Sequence, residues 1–220
     1  MSSIDAPTQQ ERRLRRLDAF IREGFFQSYF SSGVLNHTFW MGTKVLKCPL
    51  DLWVYQEIIL SQKPDLIIET GTAYGGSAHF LAAICGLAGN GRVISIDIDE
   101  MKRPEHPRLQ YWTGSSISGE IGKRLQQERR SSPKDSVMVI LDSNHSTDHV
   151  LAELDIYSEF VTQGQYLIVE DTCIWGGGNG GPRHAVEMFL LQDDRFDVDQ
   201  GREKFQMTFN PYGYLRKVKA

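Results

Sequence analysis

From residue 50 onward, short apolar runs alternate with amphipathic stretches long enough for about three helical turns, and this alternation constrains the fold more than any other feature. The pattern predicts a helix over 50–61, a strand over 66–69, a helix over 75–87 and strands over 92–97 and 109–112. It continues with a helix over 117–129, a strand over 137–142, a helix over 147–162 and a strand over 166–170. Pro182 then suits the first turn of a last helix, where its missing N–H costs nothing. Strands that are apolar on both faces and separated by helices imply a parallel sheet covered on both sides. The chain closes differently. Residues 205–209 and 214–217 alternate apolar and polar around Asn210-Pro211-Tyr212-Gly213, which predicts an antiparallel hairpin. The expected architecture is α/β, with a mostly parallel seven-stranded sheet, helices on both faces and that hairpin at one edge.

Upstream, residues 8–23 put Leu14, Leu17, Phe20 and Ile21 at helical spacing, with Arg12, Arg13, Arg15 and Arg16 around them. A solvated helix covering the edge of the domain explains this better than a membrane or acidic-partner element, because the charge run is short and interrupted. At 220 residues the chain is expected to be one domain, with 1–60 as a helical cap or a self-association segment of a homo-oligomer. A net charge of −4 without a basic stripe argues against nucleic acid as a partner. No apolar run approaches the ~18 residues of a membrane span, so a cytoplasmic protein is expected. Cys48, Cys85 and Cys173 are widely spaced and odd in number, which fits reduced thiols.

In an open parallel sheet, ligands bind beyond the carboxyl ends of the strands. The first such end reads Glu69-Thr70-Gly71-Thr72-Ala73-Tyr74-Gly75-Gly76-Ser77. Gly71 and Gly75 permit a tight turn, and the following helix N-terminus offers free N–H groups, which suits a nucleotide-like cofactor. The spacing is neither the Gly-x-Gly-x-x-Gly of a pyrophosphate site nor a Gly-Lys-Ser/Thr triphosphate loop. Glu69 would repel a pyrophosphate and could pair with a cationic amino group. Asp97, at the end of the next strand, is placed to accept from ribose hydroxyls. The alternative for these residues is an ordinary strand-to-helix turn with a capping carboxylate.

Two later strands end in acids, Asp142 and then Glu170-Asp171. Neighbouring strands would crowd the three together, and like charges that close need a cation. An all-oxygen set favours a hard divalent ion such as Mg²⁺, which keeps positions open for substrate oxygens. His145, in the loop after Asp142, can remove a proton from an acceptor hydroxyl, or alternatively caps a helix. His149 reads as a helix-surface residue. The run from Trp175 through Gly176-Gly177-Gly178-Asn179-Gly180-Gly181 reads as a loop over the acids able to open and close, or as a plain connection.

The stretches Trp40-Met41-Gly42, Lys47-Cys48-Pro49-Leu50-Asp51-Leu52-Trp53, Ile68-Glu69-Thr70-Gly71-Thr72-Ala73-Tyr74-Gly75-Gly76-Ser77, Asp142-Ser143-Asn144-His145 and Val169-Glu170-Asp171-Thr172 resemble the cephalosporin hydroxylase family. The resemblance covers roughly residues 35–217. That family is understood as Mg²⁺- and S-adenosylmethionine-dependent O-methyltransferases, including rhamnosyl O-methyltransferases, and is more distantly similar to macrolide-sugar and catechol O-methyltransferases. The resemblance implies a Rossmann-like class I methyltransferase fold and a hydroxylated small-molecule acceptor, a sugar or secondary metabolite. It implies that Asp142, Glu170 and Asp171 hold Mg²⁺ and that His145 is the base, with Asp142 beside it in the catalytic set. For S-adenosylmethionine it implies Glu69, Gly71, Thr72, Tyr74, Gly75, Ser77, Asp97 and Asp142, with Gly114 and Ser115 as the adenine side by position. Ala73 stands where other methyltransferases commonly have glycine, and no lysine follows Asp142 as in the catechol enzymes. The competing readings are a dinucleotide-dependent oxidoreductase or hydroxylase on the same fold and a non-catalytic small-molecule binding protein.

Overall fold

The computed structural model describes residues 8–132, 135–174 and 180–220. The first helix, α1 (Gln9–Ser31), is followed by a two-stranded hairpin, β1 (Phe39–Trp40) and β2 (Thr43–Lys44). Met41 and Gly42 turn it with φ of 47° and 82°, the left-handed pair that a two-residue hairpin demands. Then come α2 (Pro49–Gln62), β3 (Leu66–Thr70), α3 (Gly76–Ala88), β4 (Arg92–Asp97), β5 (Leu109–Thr113), α4 (Gly119–Ser131), β6 (Val137–Leu141), α5 (Thr147–Tyr157), β7 (Tyr166–Val169), α6 (Pro182–Gln192), β8 (Phe196–Val198) and β9 (Tyr214–Lys217).

The main sheet has seven strands in the order β5-β4-β3-β6-β7-β9-β8. β3 to β7 run parallel, and β9 pairs antiparallel with both β7 and β8. Because successive side chains of a strand face opposite ways, the apolar strands feed two cores. Ile67, Met138 and Ile140 pack under α2 and α3, while Ile68, Val139 and Leu141 pack under α4, α5 and α6. Each fully buried Ile or Leu of this kind contributes about 1.5–3 kcal/mol. Burial on both faces is why these strands show no alternation in sequence.

Three expectations need correction. The closing hairpin is β8 with β9, not 205–209 with 214–217. Residues 205–209 form no strand because their polar groups bond elsewhere: the Phe209 N–H and the Thr208 hydroxyl both donate to the Asp51 carboxylate of α2. Next, α5 ends at Tyr157 rather than at 162. Last, α1 runs on to Ser31, and its anchor is its C-terminal half. Phe26, Tyr29 and Phe30 pack on the buried Phe209, with Phe30 stacked at a centroid distance of 5.1 Å. The apolar residues picked out by periodicity do not cover the domain edge, since Leu14 and Phe20 are 51% and 76% exposed. Among the described residues no helix is long and apolar enough to cross a membrane.

Candidate active site

The chain runs outward from β3 through β4 to β5, then crosses back to place β6 on the other side of β3. A crevice opens at such a reversal, beyond the carboxyl ends of the strands. Register decides who meets there. Thr70 pairs with Leu141 and with Ile96, and Leu141 with Val169. The next residues, Gly71, Asp97, Asp142 and Glu170, therefore emerge together. A cavity of about 690 Å³ occupies the crevice. Asp97, Asp99, Asp142 and Asp171 line it, along with His145, His149, Gly114 to Ser116 and the apolar side chains of Leu35, Leu46, Ile96 and Ile98, and among the described residues its lining contains neither lysine nor arginine.

The glycine-rich turn divides into two parts. Gly71 lines the cavity, but its glycine character answers to the protein itself: φ is 81° and a Cβ would lie 1.8 Å from the backbone oxygen of Asp142. Glu69 is fully buried and accepts from the hydroxyls of Ser77 and Ser95, the latter at 2.6 Å. Burial pushes its carboxyl up to about 7, against the pull of Lys47 and the two serines. The Thr72 hydroxyl is bonded to Ser95 at 2.7 Å. Glu69, Thr72 and Ser77 thus form a polar layer beneath the turn and do not line the cavity. Gly75 precedes α3 in the left-handed conformation, and Tyr74 is exposed at 46%, both outside the lining. Asp97 lines the cavity with both carboxylate oxygens engaged, Oδ2 accepting from the Ala73 N–H at 2.8 Å and Oδ1 from the Asp99 N–H at 3.0 Å, and with Arg103 at 3.6 Å from Oδ2. Gly114 and Ser115 line the cavity as their position implies.

Asp142, His145 and Asp171 offer ligand atoms all within 4.8 Å of one another. His145 Nε2 is 3.3 Å from Asp171 Oδ2 and 3.5 Å from Asp142 Oδ1. The hydrogen bond to Asp142 raises the imidazole pKa despite burial, and Asp171 adds to the rise. Burial, then the charges of Asp142 and Glu170, push the Asp171 carboxyl up to about 8. Asp142 goes the other way. Its burial is outweighed by Lys47 and by His145, which together hold it below the ordinary aspartate range.

Glu170 stands apart from that trio, and its Oε1 is already engaged. Lys47 Nζ donates to it at 2.7 Å and to Asp142 Oδ2 at 2.6 Å, and the Tyr55 hydroxyl donates to it as well. Its Oε2 carries no hydrogen bond among the described residues. Lys47 is 2% exposed, and its two carboxylates raise its pKa well above the ordinary value against the opposing effect of burial. Sequence reasoning missed Lys47 and Tyr55. A lone lysine in the run Val45-Leu46-Lys47-Cys48-Pro49 was a signal for one, and Tyr55 lying one turn from Asp51 on a buried helix face was a signal for the other.

His149 is not a surface residue. Its Nε2 meets the hydroxyls of Ser143 at 3.0 Å and Ser116 at 3.2 Å, and Ser143 also donates to the buried Glu153 at 2.7 Å. It ties the loop after β5 to the loop after β6. The proposed mobile loop falls largely on residues 175–179, outside the described residues. Cys48, Cys85 and Cys173 are free thiols.

The rhamnosyl O-methyltransferase/CmcI family model matches residues 32–218. A rhamnosyl O-methyltransferase of Mycobacterium leprae is 34% identical over 206 residues, covering 89% of this chain and 90% of its own length. One from Mycobacterium tuberculosis strain H37Rv is 34% identical over 209 residues, covering 89% and 84%. Among solved structures, an apo form of CmcI superposes with a TM-score of 0.64 at 21% identity, over 84% of this chain and 78% of that one. A CmcI structure described as Mg-SAM gives 0.62 at 20%, with the same coverage. These similarities in structure bear on the fold.

Proposed function

Because this chain belongs to the rhamnosyl O-methyltransferase/CmcI family, we propose that it transfers the methyl group of S-adenosylmethionine to a hydroxyl of a small natural product or glycoside, assisted by Mg²⁺. One observation carries the reading. A cavity of about 690 Å³ at the strand reversal has four aspartates in its wall, two of which, Asp142 and Asp171, form a cluster there with His145. Asp142 and Asp97 are paired with Lys47 at 2.6 Å and Arg103 at 3.6 Å, which lie outside the lining. A wall presenting four carboxylates suits a cationic sulfonium and opposes a pyrophosphate, which weighs against the dinucleotide alternative.

The donor set also suits a hard cation. The Asp171 carboxyl, pushed up to about 8 by burial and neighbouring acids, is the sign of a negative cluster short of positive charge. Asp142 and Asp171 would hold Mg²⁺, with the free Oε2 of Glu170 as a third oxygen. When bound, the ion supplies Lewis acidity that lowers the pKa of a hydroxyl, and S-adenosylmethionine supplies a methyl group on a positively charged sulfur. The protein's share is placement and proton transfer. Asp97 and the Gly114 to Ser116 loop also line the cavity, and would receive the ribose hydroxyls and the adenine. His145 takes the proton of the acceptor hydroxyl. Its Nε2 lies 3.3 Å from Asp171 and 3.5 Å from Asp142, both of which would stabilise the imidazolium.

The acceptor class follows from relatives named for methylating rhamnosyl groups. The test is incubation with S-adenosylmethionine, Mg²⁺ and a panel of hydroxylated glycosides, followed by mass spectrometry. A product heavier by one methylene, lost in excess chelator, is expected. Turnover that persists in chelator removes the metal, and binding of NAD without binding of S-adenosylhomocysteine overturns the reading.

A further inference from the structure

The turn between residues 208 and 213 lies outside the strand ends that supply the acids, yet one of its side chains reaches both members of the pair Glu170-Asp171, Asp171 directly and Glu170 through Tyr55. Asn210 is fully buried. Its Oδ1 accepts from the Asp171 N–H at 2.9 Å, and its Nδ2 donates to the Tyr55 hydroxyl at 2.8 Å. Tyr55, also fully buried, donates in turn to Glu170 Oε1.

The direction of this chain follows from chemistry. A backbone N–H can only donate, so the amide oxygen of Asn210 must face Asp171 and its NH₂ must face Tyr55. The Tyr55 oxygen, accepting there, has its single proton left for Glu170. Glu170 Oε1 accepts from both Tyr55 and Lys47, while Oε2 has no partner among the described residues. Asp171 has φ 56°, a left-handed conformation that costs an aspartate energy and persists where its surroundings hold it. The bond from its N–H to Asn210 is such a hold. Asn210 is itself fixed, since its N–H donates to the Thr208 hydroxyl at 3.0 Å, and Thr208 donates to Asp51.

We propose that Asn210 is a positioning residue for the acidic site: one amide locks Asp171 in its left-handed conformation and, through Tyr55, commits Glu170 Oε1 so that Oε2 is left for a divalent cation. The inference rests on the metal reading given above. Partners that orient ligands in this way typically carry a ~10–100-fold effect on metal affinity.

The test is Mn²⁺ affinity by titration calorimetry on the full chain, for the wild type, Asn210→Ala and Tyr55→Phe, with thermal melting alongside. Tyr55→Phe keeps the ring packing and removes the hydroxyl that joins Asn210 to Glu170 while leaving the Asn210–Asp171 bond in place, so it carries the test if Asn210→Ala does not fold. A ~10–100-fold weaker Mn²⁺ affinity in each folded variant, at S-adenosylhomocysteine affinity within a few-fold of wild type, is expected. Undiminished Mn²⁺ affinity in the variants, with a wild type that binds, overturns this inference and leaves the proposed function standing. A wild type that binds no Mn²⁺ in the presence of S-adenosylhomocysteine overturns both.

Discussion

A Cβ on Gly71 would lie 1.8 Å from the backbone oxygen of Asp142, so the turn after β3 and the first acid after β6 are in backbone contact. The cavity wall and the acidic cluster are therefore one mechanical unit. Substituting Gly71→Ala adds a left-handed penalty of about 1–2 kcal/mol before any clash is counted. The expected result is a lower urea midpoint together with weakened metal binding, because Asp142 must move. A variant with wild-type stability and wild-type metal affinity would separate the two elements.

Lys47 is the buried cation that offsets Asp142 and Glu170. Replacing it with methionine keeps most of its volume and leaves two buried carboxylates without that partner, a change that costs about 3–5 kcal/mol when a buried pair is broken. Denaturant unfolding of Lys47→Met should show a loss of that order. A loss under about 1 kcal/mol would mean that the two acids are balanced by something other than this lysine.

For His145, removal of a general base typically lowers turnover about 10²–10⁴-fold. His145→Ala is expected to show that drop in kcat while its affinity for S-adenosylhomocysteine is retained. An unchanged kcat would take the base assignment away from this residue.

Asp51 and Glu69 give stability a definite pH dependence. Burial raises both to about 7 in the fold, although hydrogen bonds oppose the rise, whereas in the unfolded chain each ionises near 4. Their contribution is fully present below about pH 4 and is lost as pH rises toward about 7, because the native state retains protons that the unfolded state has released. Thermal melting across about pH 5 to 8 should therefore fall with pH, and Asp51→Asn should flatten part of the slope. A melting temperature that rises across this window in the metal-free protein would contradict the shift.

The sequence by itself determined the layered α/β fold and the residues at the strand ends, because burial on both faces leaves uninterrupted apolar runs that stop where the chain turns to solvent. Asp142, Glu170 and Asp171 were legible for that reason, Asp142 being the first polar residue after Val137–Leu141 and Glu170-Asp171 the first two after Tyr166–Val169. The tertiary structure decided what local pattern cannot carry. It paired β9 with β8, since residues 205–209 give their polar groups to Asp51 across 157 and 158 positions of chain. It brought Lys47, Tyr55 and Asn210 to the acids from 123, 115 and 39 positions away. It turned His149 inward to Ser116 and Ser143. Hydrophobic periodicity records which face of an element is buried; the identity of a buried polar partner depends on strand order and register, which emerge once the whole sheet is assembled.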